Sequence, residues 1–254
     1  MGVIVEVLAL IRAVLSFALY LILISQSGAE EVLSSCAAEA GKLLSKQSSS
    51  YRGMIDGLVG EHLAVLCYDG DPYSSTSSPK VAVFRIYGDT LRLVGESNAW
   101  YGHERNFWSV RIQDGAVSLR IARTGGCCEY SSTDFRFKAR NGTLRLVGVE
   151  DDISAMSNEG RGPGENPIAY ERRVSTNHLV GRRVYSQRAG RSTIDEPFAI
   201  AGPAKDEEHE VLFQPVLIEL AGFDPYDYVD LVIDKLRLCS YFDSSGVFRT
   251  CSSQ

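Results

Sequence analysis

Residues Ser132–Glu150, "STDFRFKARNGTLRLVGVE", decide the fold. Two runs with a period of two flank Asn141-Gly142, the dipeptide that most strongly favours a tight β-hairpin turn. Phe135 and Phe137 alternate with Arg136 and Lys138; Leu144 and Leu146 enclose Arg145. Such alternation describes a strand with one apolar and one wet face. The hexapeptide "TLRLVG" of this hairpin (Thr143–Gly148) also stands at Thr90–Gly95, again after a Phe-Arg pair and a glycine turn. The repetition is one structural unit laid down twice, not a ligand site used twice. Leu91/Leu93 and Leu144/Leu146 are expected to face a core, and Arg92 and Arg145 to face out.

The pattern extends outward from this hairpin. "KVAVFRIY" is joined by "GD" to "TLRLVGES", and "FWSVRIQ" by "DG" to "AVSLRIAR". Each pair reads as a hairpin, and Arg92, Arg120 and Arg145 are expected on a common outer face. "EHLAVLCYDGD" reads as a further strand. Glu30–Gln47 reads as a helix, with Val32, Leu33, Cys36, Ala40, Leu43 and Leu44 at helical spacing. After a Gly/Pro loop at Ser157–Pro167 come two more strand-like runs, a breaker-rich stretch and a tail from about Val211. Tyr228–Asp234, "YVDLVID", is read as a strand. The alternative is a helix with Asp224 as N-cap and Pro225 at its first position.

The fold expected is therefore mainly β: an antiparallel hairpin meander of blade-like repeats, with an N-terminal helix and a disulfide-closed C-terminal β extension. The organisation expected is residues 1–29 as a signal peptide, 30–190 as the helix and hairpin domain, and 191–254 as the extension.

The N-terminus supports export. Ala13–Ile24 is a twelve-residue apolar run, preceded by Arg12 and Glu6 and followed by "SQSGA", which puts Ser27 and Ala29 at cleavage-site positions. A membrane span needs about 20 residues. A lipid anchor at Cys36 is the alternative reading of "LSSC". Six cysteines in an exported chain imply disulfides. Cys239 and Cys251 flank a hairpin-like "SYFDSSGVFRT" and are expected to pair; Cys67 is a candidate partner for one of the adjacent Cys127 and Cys128. The location expected is periplasmic or secreted, with contact to the membrane only through the export signal.

A net charge of −6 argues against a nucleic-acid partner. No sequence motif for a nucleophile, a phosphate cradle or a zinc site stands out, and no cofactor is expected. Asp69 and Asp71 in "YDGDP" form a fragment of a calcium loop without the rest of its oxygen ligands. Two clusters are candidates for binding. The first is "AWYGHERNFW", with Trp100, Tyr101, His103, Arg105, Phe107 and Trp108; aromatic residues beside an arginine are typical of binding hot spots. The second is the basic stretch carrying Arg172, Arg173, Arg182 and Arg183, which is either a face for an anionic partner or a solvated face balanced by "KDEEHE".

Gln113–Asp152, "QDGAVSLRIARTGGCCEYSSTDFRFKARNGTLRLVGVEDD", resembles the core motif of a broad group of exported bacterial proteins similar to FG-GAP/VCBS-type propeller-blade repeats. The resemblance covers roughly Leu63–Gln187, with too few units for a full propeller. It implies a β fold and export and carries no activity. The function expected is a non-enzymatic binding or interaction protein with an envelope or extracellular partner. The alternatives are an envelope hydrolase built on His103 with Glu104 or Asp134, and a structural envelope protein.

Overall fold

The computed structural model describes residues 35–45, 51–69, 78–100, 106–124, 129–157, 168–189, 206–232, 236, 238–242 and 247–250. The expected signal peptide, the Ser157–Pro167 loop beyond Ser157, Asp71, Cys127, Cys128 and Cys251 lie outside these residues.

Two antiparallel sheets are each laid down in strict chain order. Strands β1 (Arg52–Met54), β2 (Glu61–Asp69), β3 (Ser78–Tyr87) and β4 (Thr90–Glu96) form a four-stranded sheet. Strands β5 (Asn106–Gln113), β6 (Ala116–Thr124), β7 (Glu129–Arg140), β8 (Thr143–Ser157), β9 (Ile168–Asn177), β10 (Arg182–Ala189) and β11 (Glu207–Leu212) form a seven-stranded one. The mainly β, antiparallel fold read from the alternation is the fold observed. β11 pairs with β10 from Glu207 to Leu212.

The turns have the backbone that their residues favour. Asp114-Gly115 and Asn141-Gly142 hold positive φ at both positions (52°, 69° and 53°, 82°), as the mirror-image hairpin turn requires. In the β9–β10 turn Gly181 is obligatory for a second reason: a Cβ there would collide with the carbonyl oxygen of Phe213.

The two "TLRLVG" copies share a local geometry. In each, the threonine hydroxyl donates to the carbonyl three residues earlier, Thr90 to Tyr87 at 2.9 Å and Thr143 to Arg140 at 3.1 Å. In each, the valine is the extra residue of a β-bulge. Val83 opposes Gly95 and Phe84 opposes Leu93, skipping Val94; Arg136 opposes Gly148 and Phe137 opposes Leu146, skipping Val147. The bulge raises the local twist.

Their burial differs. Leu144 and Leu146 are buried as expected, but Leu93 is 47% exposed and Leu91 only half-buried. The reason is the layer each copy faces. β8 looks into the main core, whereas Leu91 lies at the margin of a smaller one beneath the helix.

That smaller core explains why "HLAVLC" and "VAVF" are continuous apolar runs instead of alternating ones: β2 and β3 are covered on both faces. Leu63, Val65, Cys67, Ala82 and Phe84 meet Cys36 and Ala40 of helix α1 (Ser35–Ser45). Ala64, Val81 and Val83 face the other way and join Val110, Val117, Leu119, Phe135, Phe137 and Leu146 of the large sheet in the main core. Each fully buried side chain of this size contributes roughly 1.5–3 kcal/mol.

A disulfide between Cys36 and Cys67, with Cα atoms 5.1 Å apart, pins α1 to β2. Cys67 is thus paired with the helix, not with Cys127 or Cys128, and the Cys36 sulfur is not free to carry a lipid. Cys239 is also disulfide-bonded. It precedes a short antiparallel pair, β12 (Tyr241–Phe242) and β13 (Phe248–Arg249), where the C-terminal hairpin was expected.

Pro225–Asp230 form a helix, α2, and not the strand expected from Tyr228 onward. Asp224 caps it, its carboxylate accepting from the Tyr226 N–H at 2.7 Å, with Pro225 in the first turn. Tyr228 then reaches Phe135 (ring centroids 5.4 Å), and Phe223 packs on Phe135 and Phe137 at 5.2 and 5.0 Å. The C-terminal segment therefore closes the inner face of the large sheet. No helix among the described residues is long and apolar enough to cross a membrane.

A candidate binding cleft on the outer face of the large sheet

Beyond the Val147 bulge the alternation of β8 resumes in shifted phase, and in this second half the outward residues become charged. Glu150 and Asp152 stand opposite Ser175 and Arg173 of β9, and Arg173 and Ser175 stand opposite Ser186 and Val184 of β10. Together with Ser154, Glu171, Arg188, Asp206 and Glu208 they line a cleft of about 970 Å³. That is the volume range of a small-molecule or peptide site.

The lining is fixed by its own polar contacts. Arg173 Nε donates to Asp152 Oδ1 at 2.7 Å and lies 3.9 Å from Glu150. The Asp152 hydrogen bond and its charge hold the Arg173 guanidinium protonated beyond its ordinary range. Ser175 donates to Glu150 at 2.7 Å. Towards β6 the same face continues through Ser132 and Asp134, both buried, with Asp134 accepting from Ser118 at 3.3 Å and Arg120 3.8 Å away. The side chains that face the cleft carry five carboxylates, from Glu150, Asp152, Glu171, Asp206 and Glu208, against two guanidinium groups, from Arg173 and Arg188, while those of Arg172 and Glu207 turn to the inner face. The balance is acidic.

The inner face of the same strands is a second polar region, sealed by α2. Asp151 accepts from Thr133 at 2.7 Å, and burial pushes its carboxyl up. His178 Nε2 lies 2.9 Å from the Tyr228 hydroxyl. Burial, and secondarily Arg183, lower His178 to about 4. Burial raises the Tyr228 phenol, and Arg183 sits 5.3 Å from the Tyr185 ring centroid.

The candidates read from the sequence distribute differently. Trp100 is a core residue, 2% exposed, with its ring 5.3 Å from that of half-buried Trp108. Phe107 is 67% exposed, on the other face of β5. Tyr101, His103 and Arg105 lie outside the described residues. The aromatic stretch thus splits between core and surface.

The arginines also part company, since consecutive residues of a strand point to opposite faces. Arg172 turns inward, donating to Gln187 at 2.9 Å and to the Phe242 carbonyl at 3.0 Å, while Arg173 turns into the cleft. Arg182 pairs with Glu210 at 2.7 Å, and Arg183 points to the inner face. The acids of β11 neutralise part of the basic stretch, so no single basic face results. Asp69 ends β2 opposite Ser78, and no group of potential metal ligands is found among the described residues.

The sequence reading missed Glu150, Asp152, Ser175, Ser186 and Glu208. In β8 the bulge at Val147 shifts the alternation by one residue, so Glu150 and Asp152 take the outward face that an unbroken period of two from Leu144 and Leu146 assigns to the core. No family model, no curated protein and no solved structure matches the chain.

Proposed function

We propose that this chain is an exported, periplasmic or secreted binding protein that acts without chemistry on its ligand, and that its outer cleft holds a ligand of net positive charge. The observation that carries the reading is the acidic excess of a cleft of about 970 Å³. Of the two arginines whose side chains face it, Arg173 is already committed to Asp152. The cleft lining contains serine hydroxyls and carboxylates but no histidine, which suits hydrogen bonding and charge pairing more than proton transfer.

Export rests on the apolar run Ala13–Ile24 and the small residues Ser27 and Ala29. The Cys36–Cys67 disulfide is compatible with an oxidising compartment.

Calorimetric titration with spermidine and, separately, with citrate tests the reading. Spermidine is expected to bind, more weakly as salt rises, and citrate to give no heat. Citrate binding with spermidine silent would overturn it.

A further inference from the structure

The cleft ends at a strand that has no further strand beside it among the described residues. β11 is the last strand of its sheet, pairing with β10 on one side and with no strand among the described residues on the other. A free sheet edge presents a row of backbone N–H and C=O groups able to pair with a further strand. Along β11 burial alternates residue by residue. Glu208, Glu210 and Leu212 share the exposed face, and Glu208 is also part of the cleft wall.

These two features, an open edge and an acidic wall, meet at Glu208. We infer that a cationic extended polypeptide segment adds to β11 as a further antiparallel strand, along the rim of the cleft at Glu208. This rests on the cleft being a cation site, and it names the class of cation. An added strand lies about 4.8 Å beyond β11. Its residues directly opposite Glu208 and Glu210 then have Cβ atoms roughly 4.5–5.5 Å from theirs, the distance at which opposite charges on a sheet face support each other. Among the described residues Glu208 offers the free charge, and Glu210 shares its carboxylate with Arg182, 2.7 Å away. Leu212, 72% exposed, offers an apolar contact at the other end. Read antiparallel, the segment that fits is apolar, any, basic, any, basic. Backbone pairing supplies affinity in such an addition, and alternate side chains supply selectivity.

Two alternative occupants are disfavoured by the same pattern. A second copy pairing β11 with β11 would bring glutamates against glutamates, which is repulsive. A polyamine would satisfy the wall but leave the backbone edge unused.

The test uses the intact chain and a synthetic capped peptide in which valine and threonine alternate with two lysines in the stated order, with spermidine as comparison. Binding is read by calorimetry, and the edge by amide hydrogen exchange at Glu207–Leu212. Peptide binding with slowed exchange along β11, weakened about tenfold by Glu208→Lys, supports the inference. Because Glu208 is exposed, circular dichroism of the variant is expected to match the parent, which separates lost binding from lost folding. Spermidine binding without peptide protection of β11 overturns strand addition and leaves the cleft reading standing. Silence from both probes overturns both.

Discussion

Arg173 and Asp152 face one another across β9 and β8, guanidinium Nε to carboxylate oxygen at 2.7 Å, on the floor of an acidic cleft. The Arg173 side chain is 61% exposed, so the pair contributes little to stability, at most about 1 kcal/mol. Its weight is electrostatic: Arg173 occupies charge that a cationic ligand would otherwise meet.

Arg173→Ala therefore leaves the midpoint of thermal unfolding within a few degrees and raises spermidine affinity several-fold. Asp152→Asn does the reverse to affinity. Calorimetry at two salt concentrations checks both. Equal affinity in parent and variants would place the cation elsewhere.

His178 gives the fold an acid-sensitive point. Its folded value, about 4, lies below the ordinary 6.5, because burial and Arg183 favour the neutral ring. Stability from the neutral ring is present above pH 6.5 and is lost as pH falls towards 4, by on the order of 3 kcal/mol. Asp151 runs the other way: its raised carboxyl favours the protonated form, so its contribution is greatest in acid and declines as pH rises. Urea unfolding between pH 7 and pH 4 is expected to show the decline in the parent and a flatter profile in His178→Gln. Tyr228 and Phe213 flank the ring, and the Tyr228 phenol, raised by burial, stays neutral throughout this window.

The Cys36–Cys67 disulfide closes a loop with a sequence separation of 31. Chain-entropy arguments assign such a closure about 3.5 kcal/mol. Cys36→Ala is expected to lower unfolding free energy by an amount of this order and to free the helix from β2. Non-reducing peptide mapping checks the linkage directly, and recovery of Cys67 joined to Cys127 or Cys128 would contradict it.

Glycine turns separate two kinds of constraint. Gly142 has φ +82° but open space where a Cβ would go, so Gly142→Ala costs about 1–2 kcal/mol of backbone strain alone. Gly181→Ala adds a collision with the Phe213 carbonyl and is expected to cost distinctly more. Urea midpoints of the two variants rank them; the reverse order would contradict the packing of residues 213–215 on the β9–β10 turn.

The hairpins were legible because period-two patterning and Asn-Gly or Asp-Gly turns are local signals. Layering was not. Leu91 and Leu93 carry the same letters as Leu144 and Leu146, and only the layer opposite each decides burial. α2 was misread because Tyr228, Val229 and Val232 are strand-formers by type, while the deciding cap, Asp224 with Pro225, lies just outside that run. The arginines drew attention by number, yet Arg172 and Arg173 go to opposite faces and the acids that neutralise them come from β8 and β11. The cleft needed three strands and their register to exist at all. Residues such as Ser175 and Ser186 have no meaning as a set until β9 and β10 bring them side by side.

The central claim is that a cation sits on the outer face of β8–β10. Chemical-shift mapping with spermidine on labelled protein tests it most directly. The account predicts shifts concentrated at Glu150, Asp152, Ser175 and Ser186 with the inner-face amides of Asp151 and His178 undisturbed. Shifts centred on the inner face, or on Phe107 and Trp108, would contradict it.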